Sequence, residues 1–187
     1  MANRGRPVGD ALARTANREA GVNTSFRDTA RRVYDVSLSI HVLAAVVGFG
    51  ATFTYPLIEL AGRRAGNEMI PRALETVLLI SRRLAVPAAL VVGATGIYQL
   101  LEGPFELSDA WLSVSLALYV AVMIVAPVVV APAYERARAS AARSVRAGEH
   151  VEESFEYAAA RRVIVALGPV LALAISAIVV LMVTKPG

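Results

Sequence analysis

The chain contains no cysteine. That excludes disulfides, thiolate metal sites and a cysteine nucleophile, while leaving either redox compartment open. Lysine is nearly absent too: Lys185 is alone, so the net charge of +4 is carried by arginine. There is one tryptophan, Trp111, and two histidines, His41 and His150. No Ser-His-Asp set, HExxH helix motif or GxxxxGK[ST] phosphate loop occurs, so the familiar hydrolase and nucleotide signatures are missing. The first 32 residues lack the apolar core of about 7–15 residues that a secretory signal needs.

Charge itself is missing from four stretches. Val36 to Ile58, Leu84 to Leu101, Ala110 to Tyr134 and Val163 to Thr184 hold no Asp, Glu, Lys or Arg. At about 1.5 Å per residue, a helix of about 18–25 residues covers a hydrocarbon core of about 30 Å. These runs are apolar nearly all round, whereas the helices of a soluble bundle keep one polar face. A backbone in lipid must satisfy its own hydrogen bonds, so the runs are expected to be helices. The fold class expected is all-α: a four-helix transmembrane bundle with cytoplasmic helical extensions. Residues 33–187 form the membrane domain, with spans at about 33–58, 84–101, 110–134 and 163–184. Residues 1–32 read as a polar, Arg-rich tail, mostly disordered. The first helix is expected to begin near Ser25, capped by Thr24 or Ser25, with Asp28 in its first turn. Pro56, Pro87, Pro127, Pro132 and Pro169 lie in or at the ends of spans and read as kinks.

Arginine sets the expected orientation. Arg63, Arg64, Arg72, Arg82 and Arg83 lie between spans one and two, and Arg136, Arg138, Arg143, Arg146, Arg161 and Arg162 between spans three and four. The connection between spans two and three carries only Glu102, Glu106 and Asp109. The excess of positive charge on cytoplasmic loops places both Arg-rich loops inside a bacterial cell membrane and both termini outside. Arg27, Arg31 and Arg32 oppose this from the tail. Residues 133–146 and 151–162 are rich in helix formers, and Gly148 offers a stop between them, so a helical hairpin is expected to project from the membrane. Ile70 to Arg83 is expected to extend the second helix similarly. Acidic residues interleave these arginines and no continuous basic face forms, so nucleic acid is not an expected partner.

Along the first span, Tyr34, Ser37, His41, Gly48, Thr52, Tyr55 and Glu59 share one face. With helices alternating in direction, Ser37, His41, Thr95, Tyr98, Gln99, Ser113, Tyr119 and Ser176 fall at similar depth and are expected to form a polar cluster. Three readings stay open. The polar groups glue helices together; or His41 marks a cofactor, metal or proton site; or they line a shallow pocket. A haem on His41 would need Met or Tyr as second ligand, a second subunit, or five-coordination, because His150 lies in the opposite loop. Copper would need methionines, and Met69, Met123 and Met182 are scattered. Gly48, Gly50, Gly93 and Gly96 are expected at close helix contacts. Trp111 reads as an interface anchor.

The segments SIHVLAAVVGFG, RRLAVPAALVVGATGIYQL and AWLSVSLALYV, in that order, resemble a bacterial family of predicted integral membrane proteins. It is the domain-of-unknown-function family twenty-two sixty-nine. The resemblance covers about Tyr34 to Val183. It implies four helices, no established activity, and His41, Gly48, Arg83, Pro87 and Gly96 as matching positions without assigned roles. The tail before Tyr34 departs from that family's compact start. The first expectation is therefore a non-enzymatic bundle, working as a subunit or accessory protein in the lipid bilayer with itself or another membrane protein. The alternatives are a small haem- or metal-binding protein using His41, and a small transporter or channel subunit. Against the last, no charge lies deep in a span.

Overall fold

The computed structural model describes residues 6–103 and 105–185, with side chains from residue 27 onward. Every described element is a helix. They are α1 (Arg6–Phe53), α2 (Tyr55–Ala65), α3 (Ile70–Ile80), α4 (Val86–Glu102), α5 (Ala110–Val125), α6 (Ala131–Ala147) and α7 (Phe155–Thr184). Because α1 begins at Arg6, the backbone passes helically through the expected start at Thr24 and Ser25. Most of the tail assigned to residues 1–32 lies outside the residues whose side chains are described.

The seven helices join end to end into four rods, each long and apolar enough to cross a membrane: Arg27–Ala65, Asn67–Glu102, Ala110–Ala147 and Phe155–Thr184. The joints fall beside prolines. α1 gives way to α2 at Thr54, where Pro56 follows. A wide π turn, Ser81–Ala85, precedes Pro87, and another, Ala126–Val130, contains Pro127 and leads to Pro132. A proline has no N–H for the carbonyl four residues back, and widening the turn by one residue relieves both that loss and the ring clash. Pro169 differs, lying inside the unbroken helix α7.

Antiparallel packing brings the rods into two pairs. α1 runs along α4, and α5 along α7. The pairs meet chiefly at one end, where α3 packs on α6, which also packs on α7. We call this the arginine end, because the arginines of residues 63–83 and 136–162 surround it. The hydrophobic core lies here: Ile70, Leu74, Val77, Leu78, Ala133, Tyr134, Ala137, Ala141, Val151, Tyr157, Ala160 and Ile164.

Local chemistry shapes the two turns at this end. Gly66 has φ 116° and Gly148 φ 75°, both in the region that glycine enters without penalty. Gly148 closes α6 where a stop was expected, but α7 restarts later than Val151. A 3-10 turn (Val151–Glu153) intervenes, and Ser154 caps the helix by accepting from Tyr157 N–H at 3.4 Å. Asn67 clasps one turn to the other. Its Nδ2 donates to the Glu149 carbonyl and its Oδ1 accepts from Val151 N–H, each at 2.8 Å. Arg63–Glu152, Arg82–Glu135 and Arg143–Glu156 ion pairs ring the surface, where such pairs add little stability.

Gly62 of α2 is buried so closely against α3 that an added Cβ would overlap Ala73 Cβ, whereas a Cβ on Gly50 meets nothing within 4 Å. Gly62→Val is therefore expected to cost about 1–3 kcal/mol by overpacking. Gly50→Ala should be neutral or slightly stabilising, as alanine is the better helix former. Unfolding of the purified protein by mixed detergent, followed by circular dichroism, separates the two.

Candidate functional site

Helix α1 presents to α4 the face that its sequence periodicity marks. Tyr34, Ser37, His41, Gly48 and Ala51 are buried or half-buried, while Val42, Leu43 and Val46 face away. From α4, Ala88, Val92 and Gln99 are buried on the facing side. Small residues set the distance. A Cβ on Gly48 would come within 2.9 Å of Ala88 Cβ, and one on Gly96 within 3.4 Å of His41 Cε1. The imidazole therefore packs over Gly96, at van der Waals distance from where a Cβ would stand.

The Thr95 hydroxyl lies 2.6 Å from the Val91 carbonyl of its own helix and 2.9 Å from His41 Nδ1. Where its single hydrogen goes to the carbonyl, Nδ1–H donates to its oxygen and Nε2 keeps the lone pair; where it goes to Nδ1, the roles reverse. Further along the seam, Gln99 Nε2 donates to the Ser37 carbonyl at 3.4 Å. Ser37 Oγ is itself buried without a hydrogen-bond partner. Ser37, His41, Thr95 and Gln99 thus gather on one seam, with Tyr98 half-buried beside it.

The remaining expected members go elsewhere. Tyr119 reaches from α5 to donate to the Ala89 carbonyl at 2.8 Å, passing over Gly93, where a Cβ would collide with its hydroxyl. Tyr119 therefore links the second pair to the first, and Gly93 makes room for it. Ser113 and Ser176 are exposed. Ser113 donates to the Leu107 carbonyl, and Ser176 to the Ala172 carbonyl of its own helix at 2.8 Å. A serine whose hydroxyl is satisfied by a nearby carbonyl of its own segment has no need of a neighbouring helix, so depth alone does not bring it into a cluster. Ser115, not Ser113, is the serine of α5 that is fully buried. Gly48, Gly93 and Gly96 make close contacts; Gly50 does not.

A second polar group forms at the arginine end. Tyr134 of α6 donates its hydroxyl to the Glu59 carboxylate of α2 and meets the Tyr55 ring edge-on, with centroids 6.4 Å apart. The guanidiniums of Arg63 and Arg161 are near enough to act on the Glu59 charge. Arg161 Nε is buried without a partner. Only Tyr55 and Glu59 of this group are marked by the first-span periodicity; Tyr134 and Arg161 come from helices about 75 and 100 positions away and belong to no sequence pattern.

Neither group assembles a nucleophile with a base, and among the described residues no three His, Cys, Asp or Glu side chains converge as for a metal ion. The seam is built for helix contact, and His41→Ala, Thr95→Ala and the double variant should show it. In a double-mutant cycle the pair should couple by about 0.6 kcal/mol, with about 1.7 kcal/mol as the upper end for such bonds in lipid. Reversible unfolding in bicelles provides the measurement; strict additivity would mean that the bond holds nothing together.

The comparisons with known proteins follow the same line. Searches of curated proteins and of solved structures find no match to the chain. The family model described as "Predicted integral membrane protein (DUF2269)" matches residues 36–186. That range takes in all four spans and both polar groups while leaving out the Arg-rich tail; the chain belongs to DUF2269, a family of predicted integral membrane proteins.

Proposed function

We propose that the protein is a non-enzymatic membrane bundle, a subunit or accessory protein that packs laterally, through α5, against another membrane helix. One observation carries this reading. Ser113, Ala117 and Ala121 stand four residues apart on the exposed side of α5, and with Leu107, Leu116, Val120 and Ile124 they line a shallow open groove. Small residues at that spacing let helix backbones approach in lipid, where apolar burial does not itself drive association. The chain already packs α1 on α4 in this manner, with Gly48 against Ala88. On α5 the corresponding groove is not filled by any helix among the described residues. A photoreactive residue at Val120 should give a discrete protein adduct in native membranes, and Ala117→Leu, which fills the groove, should reduce it at least several-fold. Adducts with lipid alone, or an adduct indifferent to Ala117→Leu, would defeat the proposal.

A second reading rests on the tautomer in which His41 Nδ1–H donates to Thr95 and Nε2 keeps its lone pair. Hydrogen bonding at one imidazole nitrogen is how proteins orient a histidine that ligates through the other. Under this reading His41 holds haem or a copper ion. Purified protein should then be coloured or carry metal in proportion to protein, and His41→Ala should remove both.

In our reading the Arg-rich hairpins face the cytoplasm and the termini lie outside. The absence of native cysteine makes the check simple. Ser108→Cys should react with an impermeant maleimide in intact cells, and Glu149→Cys only after permeabilisation. The reverse pattern inverts the topology.

A further inference from the structure

The single lysine and the single tryptophan meet at the end of the bundle opposite the arginines. Phe105, in the connection between α4 and α5, stands edge-on to Trp111 in the first turn of α5, with centroids 5.6 Å apart and planes at 88°. Two rings at right angles make an open corner. Lys185, at the end of α7, places its ammonium in that corner, with Nζ 4.7 Å from the Phe105 centroid and 5.8 Å from the Trp111 centroid. Both distances fall within the roughly 6 Å over which a ring face attracts a cation.

The corner is built rather than incidental. Trp111 is buried, only 9% exposed, so its ring is fixed. Phe105 rests against Gly103, where a Cβ would come within 3.0 Å of Phe105 Cδ2, so the glycine lets the ring lie on backbone. Lys185 is the one described non-glycine residue with positive φ, at 42°, and its N–H closes α7 on the Leu181 carbonyl at 2.9 Å. That left-handed turn directs the side chain back across the bundle. None of the ion pairs among the described residues involves Lys185, so the rings, not a carboxylate, receive its charge. The surrounding connection carries Glu102, Glu106 and Asp109 and no cation.

We propose that the Phe105–Trp111 corner is a binding site for an organic ammonium group, which Lys185 fills as a tethered occupant. A methylated ammonium suits it best, because two apolar ring faces replace the water that such a cation holds weakly. The corner lies between the end of α4 and the start of α5, at the depth where tryptophan meets lipid headgroups. Two sources share this chemistry: a free quaternary ammonium, and the choline headgroup of a phospholipid.

Trp111 reports its own site, since no other tryptophan contributes fluorescence. The test titrates the purified full-length protein in detergent with tetramethylammonium chloride, against sodium chloride at equal ionic strength. Lys185→Gly removes the ammonium and keeps a residue that accepts the left-handed turn. The Lys185→Gly protein should show a saturable change in Trp111 emission, with half-saturation at least several-fold below that of the native chain. Adding Phe105→Leu to Lys185→Gly should abolish it. No saturable change in Lys185→Gly, or one that survives Phe105→Leu, overturns the proposal. Nanodiscs distinguish the sources: a response weaker in phosphatidylcholine than in phosphatidylglycerol identifies the lipid headgroup as occupant, and an equal response identifies the free cation.

Discussion

The structure depends on a difference of solvent along its length. Burying apolar surface stabilises a fold only where the alternative is water, at about 25 cal/mol per Å². Inside a bilayer the alternative is lipid, and the same burial gains little. The chain's hydrophobic core lies at the arginine end, where α3, α6 and the start of α7 enclose Leu74, Val77, Ala137, Ala141 and Val151. There the two helix pairs become one body, and there the turns are clasped by Asn67.

Within the spans a different set of forces must serve. The α1–α4 seam uses glycine and alanine to shorten the distance between backbones, then a few directed hydrogen bonds. His41 shows how tightly the parts constrain one another. The Thr95 hydroxyl stands between the Val91 carbonyl and His41 Nδ1, and the ring packs over Gly96. The same arrangement that glues two helices leaves the second ring nitrogen free of the Thr95 bond, which is why structural and ligating roles for His41 share one geometry.

Much of this was legible in the sequence because lipid imposes simple rules. Charge-free runs of span length fixed the number of crossings, and a 3.6-residue period picked out the face of α1 that meets α4. Depth could also be read, since it follows from position along a rod. Azimuth on the other helices could not, and Ser113 and Ser176 show the consequence. They lie at the expected depth but turn outward, each hydroxyl satisfied by a nearby carbonyl. Contacts that join distant segments left no periodic trace. Glu59 with Tyr134, Asn67 with Val151, and Lys185 with Phe105 are separated by some 75 to 84 positions and come together only once the rods are packed. Lys185 had one visible signal, its solitude in a chain whose other basic residues are all arginine. An ammonium is a compact point charge that can sit in an aromatic corner, where guanidinium would stack flat on a ring.

The placement of the prolines links the two solvents. Pro56 and Pro132 lie toward the arginine end of their rods and Pro87 and Pro127 near the middle of theirs, and the helix joints lie with them. Pro169, in the one rod that stays a single helix, introduces no such joint. At the opposite end α7 is tied to the α4–α5 connection by Lys185 on Phe105 and Trp111.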